Sequence, residues 1–320
     1  MKVVVTGGAG FLGQRLISGM LERGELTDSN GVRRAISEVV AVDQVEAPAA
    51  PRVRSAVGDV SDSAFVADVV KGADSVFHLA AVVSGAAEAD FDLGMRVNLD
   101  GTRGLLDALR REGRTPKVVF ASSVAVFGGV LPDTVTDATT PAPQSSYGVQ
   151  KLIGELLLGD CSRKGMIDGR AVRLPTIVVR PGKPNAAASS FASGIIREPL
   201  AGMEARCPVD PDTSMWLMSP SSAIANLLHA HELPAARWKG PRALSLPGIS
   251  VSVREMLDAL VRAGGEAARA RVKMQPDPRI QAIVMGWPAR FDTARADAMG
   301  FVRDADFETI VRDYVKEHGR

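Results

Sequence analysis

The sequence predicts an α/β fold, a doubly wound parallel sheet with a smaller α/β part after it, and three observations carry that prediction. Short valine-rich runs alternate with longer amphipathic segments through the first half of the chain. Three glycines, Gly7, Gly10 and Gly13, follow the first of those runs directly. An aspartate, Asp43, ends the second run. Strands buried on both faces read as unbroken apolar runs, and helices between them make neighbouring strands parallel through right-handed crossovers.

In chain order, "KVVV" is a strand and "FLGQRLISGMLERG" has helical periodicity, ending at a Gly24 cap. A polar insertion covers about 25–37, and "EVVAVD" and "VRSAVGD" give the second and third strands. A helix from about 61 to 72 leads into the strand "SVFHLAA". A long helix over about 91–113 then precedes the strand "KVVFASS". Past Arg180 the rhythm changes. "PGKPNAAASS" reads as a loop, followed by a helix near 191–200, a strand at "MWLMS" and a helix near 221–231. "RALSLPG" reads as a strand returning to the main sheet, and helices near 253–263 and 307–318 close the chain.

Composition excludes several classes of function. The 320 residues carry 38 Lys plus Arg against 37 Asp plus Glu, a net charge of +1 that gives no reason to expect nucleic acid or an anionic membrane as partner. No apolar run approaches the ~18 residues of a membrane span. "MKVVVTGGAG" serves as a strand rather than a signal peptide, because glycines interrupt its apolar run. Cys161 and Cys207 lack CxxC spacing and are too few for a disulfide framework, which fits a reducing cytoplasm. His229 and His231 lie two apart on a helical segment, so their side chains diverge and a metal site is not supported.

The glycines in "VTGGAGFLG" point to a nucleotide. A turn this tight needs residues without Cβ, as does a backbone that approaches a pyrophosphate, and the helix that follows presents free N–H groups to the phosphates. Asp43 can accept hydrogen bonds from the adenosine ribose hydroxyls and would repel a 2′-phosphate, favouring NAD over NADP. Its distance from Gly13 is 30 residues, longer than the usual ~20 by about the insertion at 25–37. Asp59 in "VGDV" falls on the same sheet edge, within reach of an adenine amino group. "HLAA", 78–81, supplies small residues for a wall against a flat cofactor. On this reading 1–181 forms an NAD-binding Rossmann domain, rejoined by about 218–247, and 182–320 a smaller substrate-binding part.

The segment "SSYGVQK" contains Tyr147, one of two tyrosines in the chain, four residues before Lys151. Positions i and i+4 share a helix face, so the ammonium can lower the phenol's pKa and make a general base. Taken alone, the pair reads equally as a solvated surface pair.

"TGGAGFLG", "GDV", "HLAA", Asn98 in "VNLDGT", "ASSVAVFG" and "YGVQK" occur in an order that resembles the extended short-chain dehydrogenase/reductases, relatives of the nucleotide-sugar epimerases and dehydratases. The resemblance covers roughly the first 180 residues. It implies a catalytic set of Ser123, Tyr147 and Lys151: the phenolate takes a hydroxyl proton as hydride leaves for the nicotinamide, Lys151 tunes the phenol and binds the nicotinamide ribose, and Ser123 holds the reacting oxygen. Ser122 is the rival for that last role and faces the other way along the strand. The resemblance implies NAD contacts at Gly7, Gly10, Phe11, Leu12, Gly13, Asp43, Asp59, Val60, Leu79, Ala80, Ala81, Asn98, Tyr147, Lys151 and Thr176. Where the family commonly has "VYG", this chain has Phe127-Gly128, away from the Tyr147 position.

The stretch "VRLPTIVVRPGKPNAAASSFASGIIREPLAG" resembles one branch of that family, the D-erythronate dehydrogenases, which oxidise the 2-hydroxyl of a four-carbon sugar acid with NAD. Substrate contacts are expected from Ser84, Ser123, Tyr147, Asn185, Ser190 and Arg197, with Arg180, Ser189 and Ser193 also on the covering segment. Each has a plainer reading, Ser189 or Ser190 as a helix N-cap and Arg197 as a solvated side chain. Two other functions stand beside this one. A nucleotide-sugar epimerase or decarboxylase with retained NAD would need an aromatic platform such as Trp216 in the cap. A cofactor-sensing regulator would not need Tyr147. By analogy with the family, the helices near 91–113 and 144–163 pair two copies into a homodimer, with Leu105, Leu109, Leu152 and Leu156 on their outer faces.

Overall fold

The computed structural model describes residues 1–182, 187–238 and 240–319, which divide into two compact units. The first comprises 1–126, 145–173 and 224–244, and the second 127–144, 174–223 and 245–320.

The first unit is built on a seven-stranded sheet. Its order is Ala243–Ser245, Asp168–Leu174, Lys117–Ser123, Ser75–His78, Lys2–Thr6, Glu38–Asp43, Val53–Val57. Lys2–Thr6 pairs in parallel with Glu38–Asp43 on one side and Ser75–His78 on the other, and parallel registers continue outward to Val53–Val57 and Lys117–Ser123. The chain builds outward from the first strand, then crosses back to build the other half. That leaves a topological switch point beside the carboxyl end of Lys2–Thr6, where open sheets of this kind bind ligands.

The valines that predict the strands bury: Val4, Val40, Val42, Val76 and Val118 share one core with Phe120, Val66, Val69, Leu105 and Leu109. Leu105 and Leu109 are therefore core residues at 2% and 1% exposure, not the outer-face residues expected from the helix pattern. The apolar face of that amphipathic helix turns inward onto the sheet and the helix Ser63–Val70.

Local chemistry sets the ends of the elements. The helix Phe11–Arg23 stops at Gly24, which adopts φ 71°. The Asp62 carboxylate accepts the Ala64 and Phe65 N–H groups at the start of Ser63–Val70. The helix expected over 91–113 is continuous but changes pitch, with α-helical Phe91–Gly94, a π-helical stretch over Met95–Asp100 and α-helical Gly101–Glu112. The insertion at 25–37 is an antiparallel ribbon of Glu25–Thr27 and Arg33–Ala35. It is tied down by the Thr27 N–H and hydroxyl, which donate to Glu232 at 3.1 and 2.6 Å.

In the second unit, Ser214–Met218 pairs antiparallel with Ile249–Ser252 and parallel with Thr176–Ile177, and Ala205–Cys207 pairs in parallel with Val272–Met274. Ile195, Ile196, Leu217, Val251, Met256, Leu260 and Ile310 form its core. The helix Val253–Arg269 opens with a capping box, Ser252 and Glu255 each satisfying the other's backbone N–H. Trp216 is buried, its indole N–H donating to the Leu246 carbonyl at 3.3 Å and its ring against Phe291, so it offers no platform for a nucleobase. Among the described residues no helix is long and apolar enough to cross a membrane.

Candidate active site

The glycine turn is held from below by the neighbouring strand. The Gly7 and Gly8 N–H groups both donate to the Val42 carbonyl, at 2.8 and 3.1 Å. Gly7 has φ +72°, and a Cβ there would sit 2.9 Å from the Ala80 nitrogen. A Cβ on Gly13 would collide with the Gly7 carbonyl oxygen. Gly8, which sequence reasoning passed over, is equally constrained, since its Cβ would lie 2.8 Å from that of Ala41.

Gly10 is exposed and caps the helix Phe11–Arg23 with no side-chain hydrogen bond. The N–H groups of Phe11, Leu12 and Gly13 open the helix without a partner among the described residues, a donor set that fits a pyrophosphate. Asp43 reaches across to this turn: one carboxylate oxygen accepts the Ala9 N–H at 3.0 Å, the other its neighbour Gln44's at 2.8 Å. A half-buried carboxylate fixed beside the phosphate turn fits an adenosine ribose.

Asp59 is more constrained than expected. Oδ1 accepts both the Ser61 N–H and hydroxyl at 2.8 Å, which holds its carboxyl below the usual range, and only Oδ2 has no bond among the described residues. Val60 buries its side chain over Gly101, so it offers a ligand its backbone alone.

Leu79, Ala80 and Ala81 leave the fourth strand half-buried, with the Leu79 N–H on the Thr6 carbonyl and the Ala80 N–H on the Thr6 hydroxyl. His78 beside them is a satisfied core histidine. The Thr102 hydroxyl donates to the Asn98 carbonyl at 2.6 Å, so it accepts from His78 Nε2 at 3.0 Å, while Nδ1 accepts from the Thr6 hydroxyl at 2.6 Å. Burial, with the Lys151 charge nearby, pushes this imidazole down to about 3. Asn98, on the π-helical stretch, clamps both the N–H and carbonyl of Val82 at 2.7 and 3.1 Å and donates to the Gln150 side chain at 2.8 Å. Its amide is fully engaged in shaping the wall. Gln150 is itself buried, its Nε2 without a partner among the described residues.

The helix Ser146–Arg163 starts at Ser145, whose hydroxyl accepts the Gly148 N–H at 3.2 Å. Tyr147 and Lys151 fall on its inner face. The Ser123 side chain accepts the Ala125 N–H at 3.1 Å and lies close enough to the Tyr147 hydroxyl to pull its pKa down against burial. Ser122, one residue earlier, points away and donates to Glu155 at 2.6 Å. Lys151 is 3% exposed, donates to the Ala121 carbonyl at 2.9 Å, and lies 4.8 and 5.6 Å from the Phe120 and Tyr147 ring centres.

Here the expected tuning is corrected. Tyr147 is half-buried, and burial pushes its hydroxyl up to about 12 with only Ser123 opposing. Burial brings Lys151 down to about 8, against the attraction of Glu155. The ammonium points at a backbone carbonyl and a ring face rather than at the phenol oxygen, so in the protein alone it does not make Tyr147 a phenolate.

The residues expected to contact substrate divide. Ser84 opens the helix Ser84–Ala89 and is half-buried. Thr176, expected as a cofactor contact rather than a substrate one, is half-buried in the second unit, paired with Leu217. Ser190 begins the helix Ser190–Leu200, after Ser189, whose side chain makes no capping bond. Asn185 lies outside the described residues. Arg197 is neither solvated nor open: it is 7% exposed, donating to the Arg180 carbonyl at 2.6 Å and to Glu198 at 2.5 Å. Ser193 accepts the Arg180 N–H at 3.0 Å. Both hold the backbone of Arg180, whose half-buried guanidinium has no partner among the described residues.

With this geometry in hand, the chain can be set beside known proteins. The model of the NAD dependent epimerase/dehydratase family matches residues 3–218. The chain is 53% identical to the D-erythronate dehydrogenase of Cupriavidus necator, over 100% of this chain and 99% of that protein. It is 43% identical to the D-erythronate dehydrogenase of Haemophilus influenzae, over 99% of each. Among solved structures, the nucleoside-diphosphate-sugar epimerase from Agrobacterium tumefaciens is 41% identical with a TM-score of 0.91, over 99% of this chain and 94% of that one.

Proposed function

The chain belongs to the NAD dependent epimerase/dehydratase family, and we propose that it oxidises the 2-hydroxyl of D-erythronate to give 2-dehydro-D-erythronate. It is an NAD-dependent oxidoreductase. The observation that carries the substrate is identity of 53% and 43%, along the whole chain, to two proteins of that activity. The name of the Agrobacterium structure favours a second reading, nucleotide-sugar epimerisation with retained NAD. The burial of Trp216 counts against it.

Bound NAD supplies the hydride acceptor, a cationic nicotinamide ring. Tyr147 receives the proton of the 2-hydroxyl as the C2–H bond gives up its hydride, and Ser123 donates to the same oxygen as it becomes a carbonyl. Lys151, fixed on the Ala121 carbonyl, keeps two further N–H donors for a ribose. Asp43 accepts from the adenosine ribose and disfavours a 2′-phosphate. For the substrate carboxylate we propose Arg180, whose guanidinium has no partner among the described residues and whose backbone Ser193 and Arg197 hold. Ser84, Asn185 and Ser190 remain candidates for the other hydroxyls.

We also propose a cytoplasmic homodimer that meets through the helix Ser146–Arg163, where Leu156 is 65% and Val149 41% exposed. The test of function is direct. Purified protein is given NAD and a panel of four-carbon sugar acids, with UDP-sugars alongside. NADH formation on D-erythronate supports the dehydrogenase; conversion of a UDP-sugar without net NADH would transfer the chain to the epimerase reading.

A further inference from the structure

Three consecutive residues of the strand Lys117–Ser123 each grip one of three helix positions spaced four apart. The Ala121 carbonyl holds Lys151, the Ser122 hydroxyl holds Glu155, and the Ser123 hydroxyl meets Tyr147. Two of these three contacts belong to the proposed reaction. The middle one does not, yet it is the most elaborate. Glu155 is 5% exposed and forms a bidentate pair with Arg173, Nε to Oε1 at 2.9 Å and Nη2 to Oε2 at 2.7 Å, while Oε1 also accepts from Ser122 at 2.6 Å.

A buried ion pair is a poor way to stabilise a fold, because removing two charges from water costs about as much as their attraction returns, and apolar side chains would pack as well. Its value here lies in its position. Glu155 stands one helical turn beyond Lys151 on the same inner face. Among the described residues, the titratable groups facing Lys151 are Tyr147 and Glu155 from its own helix and His78 from the fourth strand, with Arg173 behind Glu155. His78 is neutral and Tyr147 is a phenol, so Glu155 is the anion that opposes the cost of burying Lys151.

We propose that Glu155 is a positioning residue: through its carboxylate it keeps Lys151 an ammonium, and through Ser122 it fixes the strand end that carries Ser123. The catalytic consequence rests on the proposed dehydrogenase reaction; the effect on Lys151 does not. Arg173 confines the carboxylate to the one orientation that serves both neighbours.

The test titrates Lys151 directly, by NMR of protein labelled with carbon-13 at the lysine Cε, the signal being assigned with Lys151→Met. Glu155→Gln leaves the buried Arg173 without its carboxylate, so Glu155→Gln/Arg173→Gln, which removes both charges, is measured with it. The Lys151 midpoint is expected to fall by about one pH unit or more in every folded variant lacking the carboxylate, a tenfold change in proton affinity. The alkaline limb of kcat/KM for D-erythronate should move with it. Ser122→Ala, which leaves the ion pair intact, should keep the midpoint and lower kcat by about tenfold. An unmoved midpoint in the folded double variant overturns the electrostatic role, and an unchanged kcat in Ser122→Ala overturns the positioning of Ser123. If wild type shifts normally under titration yet oxidises no sugar acid, the reaction is wrong and the role of Glu155 toward Lys151 stands.

Discussion

The two ends of the strand Lys117–Ser123 each border a buried lysine, and burial brings both lysines to about 8. At the start of the strand, Lys117 donates to the His231 carbonyl at 2.8 Å, in a nest of charges that answer one another. Arg170 and Arg242 both hold Asp168, at 2.6 and 3.2 Å, and Glu232 accepts from His231 and Thr27. Burial keeps His231 neutral, near 4. At the end of the strand, Lys151 has one carbonyl, the ring faces of Phe120 and Tyr147, and Glu155 one turn along its helix, at the edge that also carries the glycine turn. A displaced lysine pKa therefore does not locate chemistry. Each lysine has a carboxylate that opposes its burial, Glu155 for Lys151 and Glu232 and Asp168 for Lys117; what distinguishes Lys151 is the tyrosine and serine of the proposed reaction at the same strand end.

The sharpest way to break this contrast is to remove the proton acceptor. Tyr147→Phe should lower kcat for D-erythronate oxidation about a thousandfold or more while NADH still binds, as read by fluorescence. Lys117→Met should leave kcat within about threefold. Lys151→Met should cut kcat about a hundredfold. It should also leave the melting temperature unchanged or higher. The sign follows from burial bringing Lys151 down to about 8 when folded, against 10.5 for an ordinary lysine: the protonated amine opposes folding below that window, by about 3 kcal/mol at most. A marked drop in melting temperature would instead make Lys151 a structural residue.

Much of the first unit was legible because its signals are local. Valine runs mark strands that are buried on both faces, and the i, i+4 spacing puts Tyr147 and Lys151 on one helix face. The Gly7, Gly10 and Gly13 turn announces itself within one strand–helix junction. What escaped depends on partners far away in the chain. Gly8 is required only because Ala41 lies beneath it. Glu155 and Arg173 gain meaning as a pair, and the hairpin at 25–37 is pinned by a carboxylate 205 residues beyond Thr27. The helical period gave Leu105 and Leu109 an apolar face but not which side the sheet would cover. Arg197 read as a solvated or substrate-facing cation, and packing turned it onto the Arg180 carbonyl.

Smaller effects sharpen the same contrast at the nucleotide turn and at the phenol. Gly13→Ala, with no room beside the Gly7 carbonyl, should cost about 2 kcal/mol of stability and weaken NAD binding about tenfold, by calorimetry. In the protein alone burial holds Tyr147 up at about 12 and Lys151 down at about 8, the wrong order for a phenolate beside an ammonium. A cationic ring should reverse that order. Tyrosinate absorbance should therefore be absent below about pH 10 in the free protein and appear at lower pH when NAD is added, an effect that Tyr147→Phe removes. Asp43→Ser should shift the ratio of NAD to NADP affinity about tenfold toward NADP.

The most direct test of the account is a single comparison, kcat for NAD-dependent oxidation of D-erythronate by wild type, Tyr147→Phe and Lys117→Met. The account predicts turnover in wild type and Lys117→Met and its loss in Tyr147→Phe. Equal turnover in Tyr147→Phe, or its loss in Lys117→Met with the fold intact, would contradict it.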